Sequence, residues 1–191
     1  MIKSIGLILA KSQSKRLPNK NTLDFLGEPM YLYNVRKCLK IFDEVYVSSD
    51  SVKILIDAMK LGARGILRDS KLCGDTPNVT VYKHAISEIE KYYDSNVEAI
   101  VAVQANSPTI NPDIIKQAKK AIESEKYTEV MTCWDETPDN PLYGSVWALT
   151  KDKVMNYGDP YKPEPDLLIN DTSIDIHTLA DYNRAIKEYA N

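Results

Sequence analysis

SIGLILAKSQSKRLPNKN, residues 4–21, passes from unbroken apolarity to unbroken basicity within a few positions. The apolar part, 4–10, lacks the alternation of a strand with one wet face, so it reads as a parallel strand covered on both sides. Lys11, Lys15, Arg16 and Lys20 follow with no acid among them. A buried strand therefore empties into a cationic loop. The loop holds no glycine, so it is neither a Walker A loop nor a dinucleotide fingerprint, and a dinucleotide oxidoreductase is disfavoured. Ammonium groups, hydroxyls and backbone amides in such a loop can wrap phosphates, although a plain solvated basic loop has the same composition.

The pattern repeats outward from this segment. Pro29 opens a helix to about Lys40 carrying Tyr31, Val35, Cys38 and Leu39 at helical spacing, and 44–48 alternates as a second strand. Asp50 is placed to cap a helix with Ile54, Ile56, Met59 and Leu61, closed by Gly62, and 64–68 forms a short third strand. Residues 80–93 are helical by pattern, 98–104 is a further buried strand, 112–123 is a helix opened by Asn111, and 129–134 is a strand. Strands alternating with helices imply an open α/β sheet, mostly parallel. Pro138, Asp139, Asn140 and Pro141 make a turn cluster before a strand at 145–150; 158–165 is a Pro-rich surface loop; 173–176 is a short extended piece, and a helix runs over about 179–189.

The chain has 191 residues, the size of one domain at roughly 100–200 residues per domain. It is 43% hydrophobic and 27% charged with 7 Gly and 10 Pro, which excludes collagen-like, low-complexity and largely disordered classes. Its net charge of −3 argues against general nucleic-acid binding. Cys38, Cys73 and Cys133 show no CxxC or CxxH spacing, so neither a disulfide framework nor structural zinc is indicated. The one N-terminal apolar run is too short for a signal segment or a membrane span, so no membrane partner and a cytoplasmic location are expected.

In an open parallel sheet the ligand lies outside the carboxyl ends of the strands, which directs attention to three polar loops. The first is 11–21. The second, 68–80, brings Arg68, a Gly-Asp turn, and Asn78 and Thr80, either of which could instead cap the following helix. The third, QANSP at 104–108, offers amides and a hydroxyl to a base edge, or simply ends a strand at Pro108. Near the C terminus Asp171, Ser173, Asp175 and His177 alternate, so extended backbone would turn all four to one face, where paired carboxylates could hold a hard divalent cation. His84 is assigned to structure, and Trp134 and Trp147 to core or pocket wall.

These segments occur in the order seen in the CMP-sialic acid synthetases, the acylneuraminate cytidylyltransferases, which the chain resembles over nearly its whole length, with a secondary likeness to CMP-Kdo synthetases. Residues 9–21 resemble the family's opening P-A-R-x-G-S-K-G-I-P-x-K-N, with SKRLP at 14–18 closer to the Kdo branch, and Gly27, Glu28, Pro29 and Met30 follow as its G-x-P-[LM]. VSSD at 47–50 is similar to V-S-T-D. Arg68, Leu72 and Asp75 fit R-P-x-x-L-x-x-D; 104–108 fits Q-P-T-S-P, and SIDIHT at 173–178 fits S-I-D-I-D-T, with Asp181 at the later acidic position. The resemblance implies a single-domain, three-layer Rossmann-like nucleotidyltransferase fold with a mostly parallel sheet. It also implies transfer of CMP from CTP to an acidic sugar or related small acid, with release of pyrophosphate.

By the same resemblance Lys11, Lys15 and Asp175 are catalytic, and Ala10, Ser14, Lys20, Asn21, Arg68, Asn78 and Gln104 bind nucleotide. Asp175, His177 and Asp171 are the metal candidates for Mg2+, or for Mn2+ because of the imidazole. Three departures stand out. Lys11 replaces the family's arginine and Gln13 its glycine, His177 replaces its second metal aspartate, and most of the insertion that carries the sugar clamp and dimer contacts is missing near 141–144. The acceptor is then expected to be smaller or to rest on Trp147, Tyr143 and the 158–168 loop, and a homodimer by the usual mode is in question. Two rivals follow: a nucleotide-binding homologue without turnover, and a nucleotidyltransferase of the same fold with a phosphate or phosphonate acceptor.

Overall fold

β1 (Ser4–Leu9) is flanked on both sides by parallel partners, β4 (Val45–Ser49) and β6 (Ala99–Gln104), which explains why its sequence shows no polar face. The computed structural model describes residues 2–135 and 142–189. Its main sheet continues through β5 (Arg64–Leu67) on one side and β8 (Leu142–Thr150), β7 (Glu129–Asp135) and β9 (Leu167–Asn170) on the other, in the order β5-β4-β1-β6-β8-β7-β9. β8 runs antiparallel to both β6 and β7, and the other pairings in this sheet are parallel. A small hairpin, β2 (Asp24–Phe25) with β3 (Glu28–Pro29), leads into α1 (Met30–Leu39).

Strand alternation divides the core into two layers. Ile8, Val47, Val101 and Val103 face α1, α2 (Val52–Lys60) and α4 (Pro112–Glu123), while Ile5, Leu7, Tyr46, Ile100 and Ala102 face α3 (Asn78–Tyr92) and α5 (Lys151–Met155). The expected three-layer α/β domain is what forms. A third cluster of Phe25, Met30, Ile174, Ile176 and Ala185 binds the hairpin to the C-terminal strap and to α6 (Leu179–Tyr189).

Local expectations differ in several places. Ser51, and not Asp50, caps α2 by accepting from the Ile54 amide. α2 buries Ile54, Leu55 and Ala58, while Ile56 and Met59 are exposed. α3 begins at Asn78 with no side-chain cap, so neither Asn78 nor Thr80 has that role. β9 falls where an irregular loop was expected to reach 168; only four residues long and preceded by Pro163 and Pro165, it offers almost no periodicity. Residues 173–176 join no sheet and form an irregular strap. The Pro138 to Pro141 turn cluster lies outside the described residues.

The join between β7, β8 and the strap is a buried carboxylate. Asp171 accepts from Thr132 Oγ1 at 2.9 Å, from the Ser145 amide and hydroxyl at 2.6 Å each, and from the Ser173 amide at 2.8 Å. Burial alone would raise its pKa, and the bonds from Ser145 and Ser173 outweigh that and hold it below the usual carboxylate range. Gly144 is required beside it, because a Cβ there would meet both the Asp171 carboxylate and the Thr132 hydroxyl. Gly144→Ala is expected to destabilise the fold by about 1–3 kcal/mol, measured by chemical denaturation.

Lys37 is half-buried, bonded through its ammonium to the Pro108 carbonyl and at 3.5 Å to Asn34 Oδ1. Burial lowers its pKa to about 8. The protonated form is therefore penalised in the folded state, fully below pH 8, and the penalty is relieved as pH rises towards the unfolded value. Stability should gain up to about 3 kcal/mol from this group between pH 8 and 10.5, and Lys37→Met should flatten that rise in urea titrations across the range.

Candidate functional site

The carboxyl ends of β1, β4 and β6 open on one edge of the sheet, and there a cleft of about 260 Å3 lies between the 11–21 loop, the 68–78 loop and the strap. The first loop is held by neutral and acidic anchors, with Lys11, Arg16 and Lys20 on the cleft wall. Asp50 accepts from the Ser12 amide at 2.7 Å and its hydroxyl at 2.6 Å. Burial pushes the Asp50 carboxyl upward, but the Ser12 bonds prevail and keep it below its ordinary range. At the other end the buried Asn21 donates to the Lys11 carbonyl at 2.9 Å. Asn19 supplies the tight reversal with φ of 53°, a left-handed conformation that asparagine tolerates.

The cleft wall carries Lys11, Arg16, Lys20 and Arg68, and no Asp or Glu is among its described lining residues. Asn21, Asn78, Gln104, Asn106 and His177 supply its remaining hydrogen-bonding side chains, with Thr76. Lys11 Nζ reaches the Gly74 carbonyl at 3.0 Å, and Lys15 pairs with Asp75 at 2.6 Å in an exposed bridge, so the two loops meet across the mouth. That surface pair contributes little to stability. Lys20 is pushed down to about 8, first by burial and then by Arg16 and Lys11, with Asp175 pulling the other way.

Arg68 is 5% exposed, and its Nε and Nη2 have no hydrogen-bond partner within the protein. Burial lowers its pKa, partly offset by Cys73 and Asp50. A buried guanidinium with open donors in a cleft wall is set up for an acceptor group brought by a ligand.

Of the residues expected from the sequence, Lys11, Lys20, Asn21, Arg68, Asn78, Gln104 and His177 come together in this wall. Ala10 does not: it is fully buried, and its amide already donates to the Ser48 carbonyl at 3.0 Å. Ser14 and Lys15 lie on the loop outside the lining. Asp175, half-buried and outside the lining, accepts from Asn106 Nδ2 on one oxygen and contacts His177 Nε2 with the other. Trp147 faces Asn78, Gln104 and Tyr82 in an adjoining crevice, donates to Glu129 at 3.0 Å and stacks edge-on between Tyr82 and Tyr157, whereas Tyr143 donates to the Pro163 carbonyl at 3.0 Å.

Two residues escaped the sequence reading. Asn34, buried in α1, donates to the carbonyls of Gln104 at 2.7 Å and Ser107 at 3.0 Å and so shapes the turn after β6. Asn106 exchanges bonds with Ile176, amide to carbonyl at 3.0 Å and side chain to carbonyl at 3.2 Å, which fixes the strap against that turn. The signal for Asn106 was its place inside QANSP. For Asn34 there was only a polar residue on the buried face of a helix.

A cationic cleft over the carboxyl edge, entered by the β1 loop, coincides with what a family comparison finds: the model described as Cytidylyltransferase matches residues 5–143. The chain belongs to the cytidylyltransferase family. Among its relatives, the pseudaminic acid cytidylyltransferase of Campylobacter jejuni serotype O:2 is 36% identical over 65% of this chain and 55% of its own length. The CMP-N,N'-diacetyllegionaminic acid synthase of Legionella pneumophila is 27% identical over 93% of this chain and 92% of its own. The chain spans about half the length of the first of these. A CMP:2-keto-3-deoxy-manno-octonic acid synthetase solved with CTP shares the fold with a TM-score of 0.77 at 15% identity, covering 99% of each chain. Another neighbour in fold, Rv0371c of Mycobacterium tuberculosis, was solved with manganese (TM-score 0.68, 13% identity, 97% and 99% covered).

The described residues form no cage of protein ligands for a divalent ion in the absence of substrate. Among the described residues no three of His, Cys, Asp and Glu are grouped to hold a metal. The expected alternation of Asp171, Asp175 and His177 on one face fails because the backbone there is irregular and Asp171 is consumed by Thr132, Ser145 and Ser173. His177 has Arg16 Nη2 at 3.3 Å from Nε2 and Lys20 Nζ at 3.3 Å from Nδ1, beside the Asp175 carboxylate on Nε2, so two cations compete with any metal ion for this ring.

Arg68→Met is expected to raise the unfolding free energy of the ligand-free protein by about 1–3 kcal/mol, since it removes buried donors left without partners. The same variant should weaken nucleotide binding at least about tenfold. Thermal melts and calorimetric titration with CTP check the two halves separately.

Proposed function

We propose that this chain transfers CMP from CTP to an acidic sugar or a related small acid and releases pyrophosphate. The observation that carries this reading is the cleft wall itself, with four cations and no carboxylate among its described lining residues, and with the amides of Asn78 and Gln104 on the side of α3 and β6 to meet a base. Lys11, Arg16 and Lys20 would bind the phosphates and orient the α-phosphorus. The acceptor hydroxyl adds to that phosphorus, the bond to the bridging oxygen breaks, pyrophosphate departs and the hydroxyl proton passes to water. Alignment and charge neutralisation are the protein's part. Any magnesium or manganese would arrive on the triphosphate.

The acceptor is proposed to be an acid held less extensively than in longer relatives. The alignment with the legionaminic acid synthase occupies 220 positions while taking in 93% of this 191-residue chain, so that relative carries residues with no counterpart here. This supports the loss of the insertion near 141–144. Cys38, Cys73 and Cys133 are joined in no disulfide, which suits a reducing, cytoplasmic setting.

A nucleotide-binding protein without turnover is the second reading, favoured by the enclosure of Asp175 between Asn106 and His177. Pyrophosphate release measured with the four nucleoside triphosphates and a panel of nonulosonic and smaller acids separates the two. Turnover with CTP is expected; CTP binding without turnover on any acid would favour the second reading. The role that the family resemblance implies for Asp175 is tested by Asp175→Ala: a kcat lowered by about 100-fold or more with CTP affinity within about threefold keeps Asp175 in the reaction, and unchanged kcat removes it.

A further inference from the structure

We infer that the cleft grips the triphosphate of CTP with side-chain cations alone, so that nucleotide binding needs no divalent ion. This rests on the cytidylyl-transfer reading and extends it to how the site meets charge. In the usual arrangement for magnesium, one or two carboxylates and the substrate phosphates share the ion. Here the wall offers Lys11, Arg16, Lys20 and Arg68 and no described acid. Asp175, in the strap, is half-buried, is not among the lining residues, and has one oxygen on the Asn106 amide and one on the His177 ring. Asp171, the other acid of that segment, is closed off by its own buried bonds.

The imidazole makes the point sharper. Arg16 and Lys20 each come to 3.3 Å of one of its ring nitrogens, so His177 gathers the two cations at the spot where a second carboxylate would have gathered a metal. A metal-free triphosphate presents a full divalent charge more than its magnesium complex. A wall of cations without acids favours the more negative form, and a guanidinium adds paired, planar donors that an ion cannot. Magnesium bound to the nucleotide would compete with these side chains for the same oxygens.

The test is calorimetric titration of the intact chain with CTP, and separately with pyrophosphate, in excess EDTA and in excess magnesium, alongside paramagnetic resonance of Mn2+ mixed with the ligand-free protein. The expected result is a CTP affinity in EDTA equal to that in magnesium within about threefold or tighter, with no Mn2+ bound by the free protein. A weaker affinity in EDTA by more than that margin, or Mn2+ held without nucleotide, overturns the inference. Absence of CTP binding in both buffers overturns the cytidylyl-transfer reading on which it rests, whereas binding confined to magnesium leaves that reading intact and sinks this one alone. Arg16→Gln and Lys20→Gln, checked for folding by circular dichroism, should each weaken binding in EDTA at least about tenfold and weaken it less in magnesium. Equal loss in both buffers counts against the inference. His177→Asp, which supplies a second carboxylate and scatters the two cations, should make CTP binding magnesium-dependent; continued indifference to magnesium would contradict the role given to His177.

Discussion

Like charges gathered around one small hollow repel one another, and the fold has to hold them there before any ligand arrives. Lys11, Arg16, Lys20 and Arg68 line the same cleft. The backbone is kept in place by residues around the cations: Asp50 ties Ser12, Asn21 ties the Lys11 carbonyl, and Asn106 ties the strap. Burial depresses the pKa of Lys20 and of Arg68, and at Lys20 the neighbouring Arg16 and Lys11 add to the shift. The positive field is therefore preorganised, and an incoming polyanion has little reorganisation left to drive. The energy that keeps the loop in this state comes from the sheet behind it, where β1 lies between two parallel neighbours with Leu7 and Ile8 fully buried on opposite faces.

Much of this was legible in residues 4–21. An apolar run without alternation followed by cations without acids states both the buried strand and the polarity of its exit, and helical spacing placed α1, α3 and α4 nearly to their ends. Asp50 and Ser51 show where such reading fails: either can cap a helix, and only the position of Ser12 determines that Asp50 is needed elsewhere. Ile56 and Met59 are apolar yet exposed because α2 turns Leu55 and Ala58 inward, a choice made by the sheet and not by the helix.

The candidate site was legible in part for a related reason. Loops named by their composition did converge, since the carboxyl edge of a parallel sheet collects them. The acidic segment misled, because alternation along 171–177 has a meaning only in extended backbone. The strap is instead bent by Trp134, which donates to the Ser173 carbonyl at 2.7 Å, by Thr109, which accepts from the Ile174 amide at 2.8 Å, and by Asn106. Contacts between positions so far apart in sequence leave no trace in local periodicity. Asn34 and Asn106 were overlooked for the same cause: their partners are carbonyl groups, which every residue has.

The clamp formed by Asp171, Thr132 and Ser145 gives the molecule a seam where material can be exchanged. It fastens β7, β8 and the strap to one another independently of the chain that links the first two strands. Whatever joins those strands starts and finishes on fastened ends, so its length and chemistry can change over evolutionary time without disturbing the cationic cleft. A connection held in this way can be exchanged as a graft, with the rest of the fold kept as common stock.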